Sequence, residues 1–434
     1  MTRLAKIICL LFPVMMLCAP AWGAQLPTAA RVVLSKVHAH MDEGAHERAL
    51  EVLENFQARG KKDPDPDSPD PRGYHHPEIY FAIGNIHLQK EAPQKAGKAY
   101  EQALERDPDH TYARLNLARV HYEQGNYARS AENFTKAYDT ADPKEPEYLY
   151  YAAVTWLMDD AVSSSINAFE KLLDAHPDDI RLEWRENMVH ALLSDDRGDE
   201  ALVHIIILSA QYAGEKRIQW QEIRLYQYLR MDLKNKAYAY ALELTRESPT
   251  TARWWKALAH VALARNNYES ALVALTVYSY RSPLTTGEKK LLADLNLHVG
   301  IPVMAAPAYE AVMAEKPDKN MLHNLAIAYQ QLEEPEKAID AIASFTGHDK
   351  EPDLMILKAD ILYSMEKFAD AFYAYEKAAK NNGRQAGRAW LMAGYAAWQM
   401  QDTAAARRAF KQAAEFDSRK KDAESALEQL RALD

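Results

Sequence analysis

The feature that most constrains this chain is a spacing. In the stretch PEIYFAIGNIHLQKEAPQKAGKAYEQALERDP, counted from Pro77, the residues Tyr80, Ile83, Gly84, His87, Ala96, Tyr100, Ala103 and Pro108 fall at places 4, 7, 8, 11, 20, 24, 27 and 32. The stretch is mostly helix-forming, yet it carries small residues at Gly84, Ala96 and Ala103 and ends on a proline. That reads as two helices, with small residues at places 8 and 20 where the helices cross closely and a proline that ends the second one.

The frame recurs. From Thr111 it gives Leu117, Ala118, Gly125, Phe134 and Ala137, and from Pro146 it gives Ala153, Trp156, Phe169 and Pro177. Ile218 opens Tyr228, Ala237, Leu244 and Pro249; Ala252 opens Trp255, Leu258, Ala259, Ala271 and Pro283. Thr286 opens Leu292, Ala293, Gly300, Ala305, Tyr309 and Pro317, and Lys319 opens Leu325, Ala326, Tyr329 and Ala338. Pro352 opens Ala359, Ala371, Tyr375 and Ala378, and Gly387 opens Trp390, Gly394, Ala406, Phe410 and Ala413. Two units are weaker: one from Leu182 with Val189 at the small place, and one near Ala30 with Gly44, Ala49 and Leu53.

A period of about 34 residues with this signature resembles the tetratricopeptide repeat, and the count predicts about eleven helix pairs. One unit cannot bury its apolar face alone, so stacking makes the core. The resemblance implies an all-α fold, a right-handed superhelical solenoid lined on its inner surface by first helices. The expected layout is a leader over 1–23, a degenerate helix pair over 24–60, an acidic Pro-rich linker over 61–76, the array over 77–417 and a polar capping helix over 418–434. The linker, KKDPDPDSPDPRGYHH, would let the first pair hinge.

The surface is where function is expected. Places 2, 5, 9 and 12 tend to face the groove and supply Phe81, Asn85, Tyr112, Arg119, Tyr122, Tyr150, Tyr226, Tyr363, Tyr395 and Trp398. Aromatic rings give large contact area at small entropic cost, so such a stripe suits a peptide or helix; the competing expectation is that several rings pack on neighbouring helices. Arg253, Lys256, His260, Lys290 and His298 make one stretch more basic, a place for an acidic segment. Some tetratricopeptide proteins grip a C-terminal carboxylate with Lys and Asn across three units. Asn85 and Asn116 stand at two of those places, but Phe81, Glu147 and Tyr150 replace the cations, so that mode is not expected.

Chemistry is otherwise sparse. Both cysteines, Cys9 and Cys18, lie in the leader, so the remaining chain offers no thiol for catalysis, zinc or a disulfide. His38 and His40 point to different sides of a helix, and His75 and His76 are adjacent; neither pair has metal spacing. Asp63, Asp65 and Asp67 resemble the start of a calcium loop, without its glycine and closing glutamate. No phosphate loop or nucleophile elbow occurs, so no enzyme and no cofactor are expected.

The first residues, MTRLAKIICLLFPVMMLCAPAWGAQ, carry Arg3 and Lys6, an apolar run from Ile7 to Leu17 and small residues around Trp22. This is the pattern of a secretory leader cleaved after Gly23. Cys18 invites a lipidation reading, which Leu17 before it disfavours. Removing the leader's two basic residues takes the net charge from −10 to −12. That balance excludes a basic nucleic-acid footprint and adhesion to anionic lipid. No later apolar run is long enough to span a membrane. A periplasmic location is expected.

From Arg253 to Met313 the chain resembles periplasmic tetratricopeptide proteins encoded beside ExbB, ExbD and TonB-type proteins. Trp255, Leu258, Tyr268, Ala271-Leu272, Leu284 before Glu288, Leu292-Ala293, Gly300-Ile301-Pro302 and Ala305-Ala306 carry the likeness, with Gly387-Arg388 further on. The resemblance implies a non-enzymatic scaffold accessory to energy transduction, with ExbB, ExbD or TonB-type proteins as partners. Other functions open to such a groove are assembly of envelope polysaccharide or outer-membrane proteins, and carbohydrate binding, for which Tyr395 with Trp398 is the best local pair.

Overall fold

The computed structural model describes residues 26–60, 70–347, 350–381 and 384–431. The leader with Cys9 and Cys18, and Asp63, Asp65 and Asp67, lie outside them. Among the described residues there are 23 α-helices and no strand: eleven antiparallel pairs and one last helix. The frame positions Pro77, Thr111, Pro146, Leu182, Ala252, Thr286, Lys319 and Pro352 are each the first residue of a helix. The unit expected from Ile218 begins one turn earlier, in the helix Gly214–Arg230.

One backbone device closes every pair. Place 15 is left-handed throughout: Gly44, Glu91, Gly125, Asp160, Asp196, Asp232, Asn266, Gly300, Glu333, Glu366 and Gln401 all have φ between 54° and 81°. At Glu91 the following amide, Ala92 N–H, reaches His87 O at 2.9 Å while Glu91 N–H reaches Leu88 O at 3.0 Å. This double bond pattern satisfies the last carbonyls of the first helix and reverses the chain in three residues. The same pair of bonds recurs at Gly125 and at Gln401.

The small places have a cause beyond helix crossing. A Cβ on Gly84 would stand 2.4 Å from the Tyr100 ring, and one on Gly394 would stand 2.4 Å from the Phe410 ring. The ring at place 24 of the second helix therefore lies on place 8 of the first.

The chain divides into two compact units, Met1–Arg224 and Leu225–Asp434. In the first, one core gathers Leu34, Leu53, Phe56, Tyr74, Ile79 and Ile86. It joins the helix pair Thr28–Asp42 and His46–Gly60 to the helix Pro77–Gln89, and Lys90 adds an ion pair to Glu47 at 2.6 Å. The first helix pair thus packs against the helix that follows the acidic segment. Asp70 accepts from Tyr74 N–H and His75 N–H at 2.6 and 2.7 Å, which sets Tyr74 against Phe56. Gly60 lies beneath Tyr74, where a Cβ would come within 2.7 Å, so the two ends of the acidic segment meet. A second core runs from Leu115 through Phe134, Tyr150, Phe169 and Trp184 to Leu208.

In the second unit, Tyr309, Leu322, Leu325 and Ile342 form one core and Leu362, Tyr375 and Ala393 another. The last helix, Lys420–Arg431, buries Ala423, Ala426 and Leu430 beside Phe410 and keeps its other side polar.

Candidate functional site

First helices of successive repeats lie side by side, joined by polar bonds. In the first unit Tyr100 Oη donates to Asn85 Oδ1 at 2.8 Å, and Asn116 Nδ2 donates to the same oxygen at 2.9 Å. In the second, Tyr309 Oη and Asn324 Nδ2 converge on Asp294 Oδ1 at 2.6 and 3.2 Å. Asp360 takes Tyr375 Oη at 2.5 Å on one oxygen and Arg388 at 2.8 Å on the other. The tyrosine always comes from place 24, the acceptor from place 9, and the third group from the next first helix. Burial, and for Tyr309 and Tyr375 also the carboxylate, pushes the phenol pKa values up, so the hydroxyls stay donors.

The candidate face residues separate into three groups. Tyr112 and Tyr226 project into solvent, 48% and 68% exposed, and His260 and Arg253 are exposed too. Phe81, Tyr122, Tyr363, Tyr395 and Trp398 are half-buried. Phe81 rests on Tyr100 and His110, Tyr122 on Tyr127, and Tyr363 on Phe368. Tyr395 and Trp398 both sit edge-on against Phe410, so much of their surface is already used. Asn85 belongs to the bonded ladder, and Arg119 is paired with Glu123 at 2.8 Å.

Tyr150 is a correction. It is 3% exposed, stacked on Trp184 at 4.9 Å, and bonded by Asn187 at 3.0 Å. Trp184 of the next first helix covers it, and Arg181 in turn lies over Trp184 at 4.7 Å. Burial pushes the Tyr150 pKa up to about 12. The basic stretch is also corrected in part. Lys256 meets Glu288 at 2.8 Å and Lys290 lies 3.8 Å from Asp294, so both charges are compensated inside the chain. His298 packs its ring on Tyr268 at 4.1 Å.

Among the described residues no group of three or more His, Cys, Asp or Glu side chains is placed to hold a metal ion. Among them no helix is long and apolar enough to cross a membrane.

With this geometry in hand, comparison with known proteins identifies the repeat. The tetratricopeptide repeat family model matches residues 34–111, 81–146, 115–180 and 356–420. The chain carries tetratricopeptide repeats, and its fold is a tetratricopeptide-repeat solenoid. Mouse protein O-mannosyl-transferase TMTC1 is 29% identical over 105 residues, which is 24% of this chain and 10% of that protein. The chain thus spans about a tenth of that relative's length.

Solved structures that it is similar to include Naa15/Naa10 bound to HypK-THB, at 13% identity and a TM-score of 0.41, covering 93% of this chain and 78% of that one. A tetratricopeptide repeat protein from Parabacteroides merdae has 15% identity and a TM-score of 0.32, covering 69% and 98%. The TPR2AB domain of yeast Sti1 in complex with pHSP90 has 14% identity and a TM-score of 0.33, covering 60% and 98%.

Proposed function

We propose that this protein is a non-enzymatic periplasmic scaffold that holds a protein partner on its first-helix face, as an accessory of a TonB-type transport complex. The observation that carries the scaffold reading is Tyr112, a ring left 48% exposed beside the fixed Asn85–Tyr100–Asn116 ladder. A rigid polar floor with an unburied aromatic edge offers anchoring area without reorganisation on binding. The periplasmic location rests on the leader-like first residues, and the transport complex on the resemblance from Arg253 to Met313. ExbB, ExbD and TonB-type proteins are the partners this reading names. Assembly of envelope polysaccharide or outer-membrane proteins is the alternative with the same kind of face. Carbohydrate binding at Tyr395 and Trp398 is less favoured, because Phe410 already covers an edge of both rings.

The test is a crosslinked pull-down of the chain from its own envelope fraction, read by mass spectrometry, with Tyr112→Ala as the comparison. Capture of ExbB, ExbD or TonB-type proteins that weakens in the variant supports the proposal. Capture of polysaccharide or outer-membrane assembly factors alone transfers it to the alternative, and capture of no protein at all overturns the scaffold reading.

A further inference from the structure

Arg185 differs from the ion-paired cations of its unit. Lys90, Arg119, Arg197 and Lys216 each meet a carboxylate. Lys136 is exposed, and Arg114 is held by the Pro108 carbonyl at 3.0 Å. Arg185 is half-buried, and its bonded partner is a ring nitrogen: Arg185 Nη1 lies 3.2 Å from His204 Nδ1. An arginine can only donate, so Nδ1 accepts and the imidazole proton sits on Nε2. His204 is 8% exposed. Burial first, and the Arg185 charge second, hold its pKa below the ordinary value, so the ring stays neutral. The neighbouring carboxylate, Glu200, is taken by Arg197 at 2.5 Å.

The pair therefore carries one positive charge with no opposite charge bound to it. Burial lowers the guanidinium pKa, and no neighbouring charge offsets that. A partly desolvated cation without a counter-charge costs free energy in the isolated protein, and an arriving anion removes that cost. The guanidinium has five N–H donors in a fixed fork, and the bond to His204 uses one of them.

We propose that Arg185, positioned by His204, is the contact point for the carboxylate of an acidic side chain of the protein partner. The inference rests on the scaffold reading. A carboxylate fits better than a phosphate dianion because the site offers a single charge and because Glu183 stands exposed on the same helical turn. Glu186, the other carboxylate of that turn, is neutralised by Lys216 at 2.7 Å.

The experiment is a titration of the full chain, ¹⁵N-labelled at arginine, with acetate at constant ionic strength, followed at the Arg185 Nε–H resonance. That resonance is assigned by its loss in Arg185→Gln. A saturable shift at Arg185, absent at the ion-paired Arg119, is expected, with inorganic phosphate binding more weakly. The His204 pKa should rise as acetate saturates, because the charge that depresses it is compensated. His204→Asn keeps the guanidinium but no longer holds its fork in the same place, and should weaken acetate about tenfold.

No saturable shift, or equal shifts at Arg185 and Arg119, overturns the proposal, and so does phosphate binding more tightly than acetate. In the pull-down, capture lost in Arg185→Gln supports the partner contact. Capture unchanged in Arg185→Gln, with the acetate response intact in wild type, overturns that contact and leaves the scaffold reading standing. If wild type captures no protein, the scaffold reading fails and this inference falls with it.

Discussion

Tyr100 and Asn85 lock two helices of one repeat together through a 2.8 Å bond, and Asn116 ties the next repeat to the same Asn85 oxygen. The first-helix face is thus held by side chains as well as by core packing. Tyr100→Phe keeps the ring over Gly84 and removes only the hydroxyl, so it should cost about 1 kcal/mol. Tyr375→Phe should cost more, about 1.5–3 kcal/mol, because it strips a donor from the Asp360 carboxylate. Urea denaturation of the two variants checks the order, and equal costs would refute the role assigned to the carboxylate.

This ladder was legible in part. Tyrosine occupies place 24 where place 9 is Asn85, Asp294 or Asp360, and phenylalanine occupies it where place 9 is Arg119, Val154 or Tyr395. Spacing alone identifies the repeat, and this pairing of places shows which rings carry a bonded hydroxyl. Tyr150 was not legible. Its place faces the groove in an ideal repeat, yet Trp184, at an unusual third place in a unit offset by the turn Pro177–Asp179, folds over it. Depth of burial depends on the neighbour's side chain, which a periodic frame does not encode. The left-handed turn was visible only where glycine marks it, as at Gly125, since acidic residues such as Glu91 and Glu333 do not signal positive φ.

The contrast between Tyr150 and Tyr112 gives a separation of stability from binding. Tyr150→Ala removes a buried ring and should cost about 3–5 kcal/mol. Tyr112→Ala removes an exposed one and should stay within about 0.5 kcal/mol of wild type. Partner capture should respond to Tyr112→Ala at unchanged melting temperature, and a large loss of stability in that variant would contradict its exposed position.

Place 15 gives a graded series. An L-residue held at positive φ is strained by about 1–2 kcal/mol, and glycine relieves this while returning about 0.5–1 kcal/mol of chain entropy to the unfolded state. Glu91→Gly should therefore stabilise the first unit by up to about 1 kcal/mol. Asn266→Gly should do less, because asparagine tolerates this conformation. Gly125→Ala should destabilise by about 1 kcal/mol. Thermal melts of the three variants test the sequence of effects, and a destabilising Glu91→Gly would break it.

Four histidines make the first unit sensitive to mild acid. Burial holds the pKa values of His76, His87, His121 and His204 below the ordinary value of 6.5. Below that value the unfolded chain binds more protons than the fold. The contribution is therefore fully present above about pH 6.5 and is lost as pH falls through and below it. Denaturation of the full chain at pH 7.5 and at pH 5.5, followed by amide exchange in the first unit, should show weaker protection at the lower pH. His204→Gln should flatten that dependence, and a pH-independent first unit would refute it.

Glu288 responds in a lower window. Lys256 first, and then the Thr285 N–H and hydroxyl, hold its carboxyl down at about 2 against an ordinary 4.5. A depressed carboxylate stabilises the fold above its unfolded pKa, and the contribution disappears as pH falls from about 4.5 through about 2. The same side chain closes the capping box of the helix Thr286–His298, donating nothing and accepting from Thr285 N–H at 2.8 Å. Glu288→Gln retains an acceptor for the cap but removes the charge that meets Lys256. It should lose stability at neutral pH and converge with wild type below about pH 2, once both carry a neutral side chain there. Amide exchange at the first turn of that helix, measured from neutral pH downward, reads the effect directly; parallel curves for the two proteins over the whole range would mean that the Lys256 pair contributes nothing.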